Sequence, residues 1–228
     1  MKFNTAFIVM MLFLVSCNND KNPDEEQIEA QVVEEVKQQS TLEKIAESYG
    51  FQQWKNVNEV AFSFVVNPGE KEFERRWIWY PKLDKVSFVN ASDTLSYQRD
   101  SIKEEMVKTD KAFVNDSFWL TFPFHLVWDE VSFEDLGTQV SPILQKQSTK
   151  IKVNYPKEGG YTPGDSYEIY VDDNYKILEW TYHPQGQTDA ALGNTFENQQ
   201  SFKGIKIDME HANPETGFQL NFRDVVIK

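Results

Sequence analysis

A single cysteine, three histidines and a deficit of basic charge remove several functions before any motif is read. One thiol in 228 residues cannot form an internal disulfide. It also cannot build a cysteine-type structural zinc site. His125, His183 and His211 lie far apart and form no HExxH or similar paired spacing. With 23 Lys and Arg against 36 Asp and Glu, the formal net charge is −13. Nucleic-acid binding needs basic residues to neutralise phosphates, so it is not expected. There is no G-x-S-x-G elbow, and no S-x-x-K with its partner motifs. The Gly-rich "EGGYTPGD" (158–165) lacks the Lys-Ser/Thr ending of a phosphate loop, and its Pro163-Gly164 reads as a turn. Asp172-Asp173-Asn174 lacks the Gly and closing Glu of a calcium loop. No metal, cofactor or catalytic residue is expected. A glycosidase-like carboxylate pair can be assembled from so many acids, but nothing singles one out.

What is present begins at the N-terminus. Lys2 precedes the apolar run "AFIVMMLFLV" (6–15), ten residues long. A membrane-spanning helix needs about twenty residues, whereas ten suit a signal-peptide core. The run ends in Leu14-Val15-Ser16-Cys17. A catalytic thiol needs a histidine or helix N-terminus beside it, and no histidine lies within a hundred residues of Cys17 in sequence. The tetrapeptide resembles the lipobox of bacterial lipoproteins. That resemblance implies diacylglycerol on Cys17, cleavage before it and acylation of the new N-terminus. Residues 1–16 are then a signal peptide, and the membrane is a partner through the lipid anchor. Loss of Lys2 takes the net charge to −14. Such a chain stands off anionic headgroups rather than lying on them.

Residues 17–40 follow as a lipidated acidic tether. Between 18 and 40 there are seven acids, two lysines, Pro23 and no aromatic residue. As a flexible coil it spans roughly 25–30 Å. Ile28, Val32 and Val36 recur at helical spacing, but the stripe is too narrow to fold alone.

Residues 41–228 read as one β-rich domain. Ser40 and Glu43 make a capping box ahead of an amphipathic helix carrying Leu42, Ile45, Ala46 and Tyr49, ended by Gly50. Period-two alternation then predicts strands at 60–66, 73–80, 85–89, 94–98, 150–155, 166–171, 175–182, 202–208 and 218–227. Asn67-Pro68-Gly69 and Asp172-Asp173-Asn174 are expected turns, and Gly204 an expected bulge. About nine strands predict a curled antiparallel sheet forming an open, unclosed β-barrel. Residues 110–148 fit neither period. Phe118, Trp119, Phe122, Phe124, Trp128 and Phe133 crowd around Pro123 there, which predicts a short helix and loop as a plug on the concave face. Ordinary core packing of these aromatics is the simpler alternative.

Candidate ligand-binding residues follow from this layout. Alternation places Arg75 on the side of Trp77 and Trp79, where it can hold an anionic headgroup, or instead pair with an acid. From the plug come Trp119, Phe122, Phe124, His125 and Trp128; His125 reads more simply as a hydrogen-bonded, partly buried histidine.

The combination is similar to a family of flavobacterial-type outer-membrane lipoproteins of unknown function. The lipobox, the tether, "YGFQQWKNVNEVAFSF", "FWLTFPFHLVWD" and "VNYPKEGGYTPGDSYEIYVDDNYKILEWTY" carry the likeness. More distantly, the helix, curled sheet and inserted plug resemble the LolA/LolB lipoprotein carriers and mycobacterial lipid-carrying lipoproteins. That resemblance implies an unclosed barrel lined with apolar side chains and an acyl-chain ligand, and the anchor suits a LolB-like acceptor. By resemblance to known lipoprotein sorting rules, Asn18 rather than Asp favours transfer to the outer membrane, facing either the periplasm or the surface. Three readings remain: a non-enzymatic lipoprotein binding a hydrophobic or amphiphilic ligand, a partner-docking envelope module, and an envelope hydrolase.

Overall fold

The computed structural model describes residues 38–67, 72–159 and 163–228. Cys17, the signal segment, nearly all of the tether, and Pro68-Gly69 lie outside the described residues. Helix α1 (Thr41–Ser48) opens on the expected capping box: Ser40 Oγ accepts the Glu43 N–H at 3.2 Å, and Ser40 N–H donates to Glu43 Oε2 at 2.6 Å. The helix ends where Gly50 takes φ +85°. A second helix, α2, runs from Val107 to Trp128.

Among the described residues twelve strands form two antiparallel sheets, and the fold is mainly β. In chain order they are β1 (Val60–Val66), β2 (Phe73–Tyr80), β3 (Lys85–Val89), β4 (Thr94–Gln98), β5 (Ser132–Val140), β6 (Gln147–Asn154), β7 (Ser166–Val171), β8 (Ile177–His183), β9 (Leu192–Thr195), β10 (Glu197–Phe202), β11 (Ile205–Asn213) and β12 (Phe218–Ile227). The seven-stranded sheet has the order β10-β11-β12-β1-β2-β3-β4, and the five-stranded sheet β5-β6-β7-β8-β9. The chain passes between them at Phe196, so the expected single curled sheet is split there. Side chains bridge the seam. Thr195 Oγ1 donates to the Ala212 carbonyl at 3.1 Å, and Asn213 Nδ2 donates to the Gly193 carbonyl at 2.8 Å. The remaining edges, β4 and β5, are unpaired with each other, and the barrel stays open.

Two expectations are corrected. Gly204 is a hairpin turn, not a bulge: Lys203 (φ 52°) and Gly204 (φ 85°) both occupy the left-handed region, and Phe202 pairs with Ile205 across them. The plug is one long helix rather than a short helix and loop. α2 runs through Pro123 by placing a kink at Thr121 (φ −119°, ψ 19°). Its periodicity was obscure because its second half, Ser117 to Trp128, packs against both sheets and exposes no residue to mark a polar face. Phe113 meets Trp77 and Trp79 on one side, while Phe122 meets Tyr167, Trp180 and Phe196 on the other.

α1 holds the two sheets together. The Tyr49 hydroxyl donates to Asp208 on β11 at 2.7 Å and accepts the Ile177 N–H of β8 at 3.2 Å. The Asp172 turn joins β7 to β8 as expected, with Asp172 Oδ1 accepting from Asn174 and Lys176 at 2.9 Å each.

Candidate functional site

Two buried carboxylates fasten α2 to the seven-stranded sheet. Asp116 accepts Arg75 Nε at 2.6 Å, a second Arg75 nitrogen, and Trp77 Nε1 at 2.8 Å. Asp110 accepts Arg99 Nε at 2.8 Å and the Tyr97 hydroxyl at 3.2 Å. Arg75 therefore does face the interior, and its guanidinium is taken up by an aspartate there.

This attachment leaves another stripe of α2, carrying Val114, Phe118 and His125, against a cleft of about 520 Å³. Arg99, just past β4, and Asp129-Glu130, just ahead of β5, both border it, so the cleft lies where the barrel fails to close. Its floor is apolar, from Val114, Phe118 and Trp128, and Tyr155 and Pro156 beyond β6 form a wall. Volume and lining fall within the range of small-molecule sites.

The rim is acidic in effect. Arg99 is engaged by Asp110, with Asp84 at 3.9 Å. His125 Nδ1 lies 2.8 Å from Asp129 Oδ2, one helical turn away, and its ring packs on Phe118 and Trp128. Glu130 and Glu158 are exposed and have no salt bridge among the described residues. The Tyr155 hydroxyl is buried beside the Asp129 carboxylate. Burial beside the Asp129 carboxylate pushes this phenol above its ordinary range.

A smaller pocket of about 160 Å³ shares Phe118 with the cleft. Trp119 of α2 and Tyr167, Trp180 and Tyr182 of the five-stranded sheet line it, together with Asp165.

The sequence-predicted residues are spread over several places. His125 and Trp128 line the cleft, and Trp119 lines the smaller pocket. Trp77, Phe122 and Phe124 are fully buried in the core. Trp79 packs against Trp54 and Phe113, with Trp54 in turn against Trp128. Sequence reasoning missed Tyr155, Asp165, Tyr167, Trp180 and Tyr182. The hairpin turn at Asp172 held a signal for three of them: its register pairs Tyr167 with Tyr182 and Ile169 with Trp180, which puts all three aromatics on one face. Among the described residues, no cluster of three or more His, Cys, Asp or Glu is arranged to hold a metal, and no helix is long and apolar enough to cross a membrane.

The chain matches no family model and no curated protein. Its layout is similar to that of three solved structures, each 11% identical. One is a DUF1329 family protein from Desulfovibrio piger, with a TM-score of 0.48 over 82% of this chain and 92% of that one. The second is a domain from Vibrio parahaemolyticus described as an outer membrane lipoprotein-sorting protein, with a TM-score of 0.45 over 81% and 91%. The third is the lipoprotein LppX of Mycobacterium tuberculosis, with a TM-score of 0.27 over 81% and 94%.

Proposed function

We propose that the protein is a bacterial outer-membrane lipoprotein of flavobacterial type, anchored through Cys17, that binds an amphiphile without transforming it. The observation that carries the binding is the 520 Å³ cleft at the open side of the barrel. Its apolar floor removes a hydrocarbon from water at about 25 cal/mol per Å² buried. Its polar rim keeps the mouth of the cleft open to water. The cleft floor of Val114, Phe118 and Trp128 offers a hydrocarbon surface, which supports carriage or sensing. The lipid anchor would keep the cleft close to its supply of ligand.

A fluorescent fatty acid tests this reading. Saturable uptake by the protein should fall at least tenfold in Val114→Trp, which fills the floor from the partly exposed side of α2, with the thermal midpoint unchanged. Equal uptake by both proteins would remove the cleft as the site.

Partner docking has one observation in its favour. β5 is exposed along its whole length, with Phe133, Leu136 and Val140 open to solvent and one edge free. The irregularity between Asp135 and Thr138, with Gly137 at φ 73°, and the acids Glu134 and Asp135 are devices that discourage strand addition. Amphiphile binding is therefore the better supported reading.

A further inference from the structure

The pocket beside the cleft differs from it in one respect. Its single charged lining residue, Asp165, is buried at 3% exposure. One carboxylate oxygen accepts the Tyr182 hydroxyl at 2.8 Å and the other the Gln185 N–H at 2.9 Å. Among the described residues no Lys, Arg or His nitrogen lies within salt-bridge distance of it. Glu179, also buried, has both its oxygens taken up by backbone N–H groups of one turn. Asp165 differs in opening onto a cavity.

The cavity walls are aromatic. Trp119 stands edge-on to Trp180 at 4.7 Å, and Tyr167 lies 4.9 Å from Trp180 and 5.2 Å from Tyr182. Phe118, 5.6 Å from Tyr167, separates this pocket from the cleft. Aromatic faces carry negative electrostatic potential and attract cations, most strongly when desolvated. A group of rings closed by a buried carboxylate suits a cation that keeps little hydration of its own, which a quaternary or methylated ammonium does and a bare ammonium does not. The surroundings agree in sign. Glu130 and Glu158 on the neighbouring rim have no salt bridge among the described residues, and the whole chain carries −13.

We infer that the aromatic pocket around Asp165 binds a quaternary ammonium group, so that the amphiphile taken by the cleft carries a choline-type cationic or zwitterionic head. This inference rests on the amphiphile-binding reading and deepens it. Trp119 supplies the outer wall, Trp180 and Tyr167 the floor, and Asp165 the balancing charge, with the hydrocarbon leaving past Phe118 into the cleft.

Choline and its uncharged isostere 3,3-dimethylbutan-1-ol, with carbon in place of the ammonium nitrogen, separate charge recognition from apolar fit. The full-length protein, held in phosphatidylglycerol nanodiscs that contain no choline head, is titrated with each by calorimetry. Choline should bind at least about tenfold more tightly than the isostere. Trp119→Leu keeps an apolar wall but removes the π face, and should bring the two affinities within about threefold. Asp165→Asn should weaken choline and leave the isostere unchanged. Equal affinities in the unaltered protein, no choline binding, or a ratio unchanged in Trp119→Leu would each overturn the inference. Uptake of a fluorescent fatty acid in the same nanodiscs distinguishes the two levels: uptake without choline selectivity overturns only the head-group assignment, whereas loss of both removes the cleft reading as well.

Discussion

Replacing Arg75 by Met isolates what this arginine does. Asp116 is fully buried on α2, and the Arg75 side chain is only 22% exposed. The carboxylate takes two Arg75 nitrogens, Trp77 Nε1 and, at 3.0 Å, Asn115 Nδ2. Without the guanidinium, a buried negative charge keeps only two neutral donors. Breaking a buried pair in this way costs about 3–5 kcal/mol, a large fraction of the roughly 5–15 kcal/mol that holds a domain together. The loss must depend on pH. Burial already pushes Asp116 upward, with Arg75 opposing it. With Arg75 gone, the folded-state pKa rises well above the unfolded value. A group raised in this way stabilises the fold below its folded pKa and destabilises it above, so the variant should recover as pH falls. Urea unfolding at pH 7.5 and 5, followed by tryptophan fluorescence, reads both effects. Adding Asp116→Leu to Arg75→Met should restore most of the loss at pH 7.5, because the stranded charge is gone. A cost under about 1 kcal/mol, or the same cost at both pH values, would refute the assignment of Arg75 to α2 docking.

Other perturbations reach different parts of the molecule. A Cβ on Gly50 would sit 1.9 Å from the Gly204 carbonyl oxygen, at a φ of +85°, so Gly50→Ala should cost about 4 kcal/mol or more by chemical denaturation. Gly137→Ala, at φ +73° with open space around it, should cost only about 1–2 kcal/mol. His211 is fully buried and its pKa is lowered from 6.5 to about 4 by desolvation, whereas burial raises Asp208 from 3.8 to about 6. Unfolded chains protonate the histidine first, so its contribution is lost as pH falls from 6.5 to 4; the Asp208 contribution grows as pH falls from 6 to 3.8. The two trends offset each other, and Asp208→Asn should expose a loss of about 3 kcal/mol between pH 6.5 and 4. Cys17→Ser should release the protein from membranes after a salt wash; retention would count against lipid attachment.

How legible all this was in the sequence depended on which faces each segment buries. β1 and β12 alternate or run apolar because they sit mid-sheet, and their bounds could be read directly. β5, β9 and β10 could not. β5 is exposed on every residue, and "LGNT" and "ENQQSF" are polar strands held by backbone pairing at the seam and edge. The α1 capping box was legible because its two hydrogen bonds are local. α2 was not, since its buried face carries Asp110 and Asp116 and its second half, Ser117 to Trp128, has no exposed residue to mark its period. The same reasoning explains the site. Arg75 pointed inward as alternation required, yet its aspartate partner lies 41 residues away, beyond the reach of pattern. His125 and Trp128 stood out by composition, while Asp165 looked like one more acid in a turn. Only the fold brings Asp165 to five aromatic rings from three elements.

The central claim, that the open side of the barrel holds an amphiphile, is tested most directly by native mass spectrometry with lipid extraction. The compact unit of residues 38–228 is purified gently from bacterial cells. One extractable amphiphile per chain, absent from Val114→Trp, is the predicted result. A chain that arrives empty and takes up no fluorescent fatty acid would contradict it.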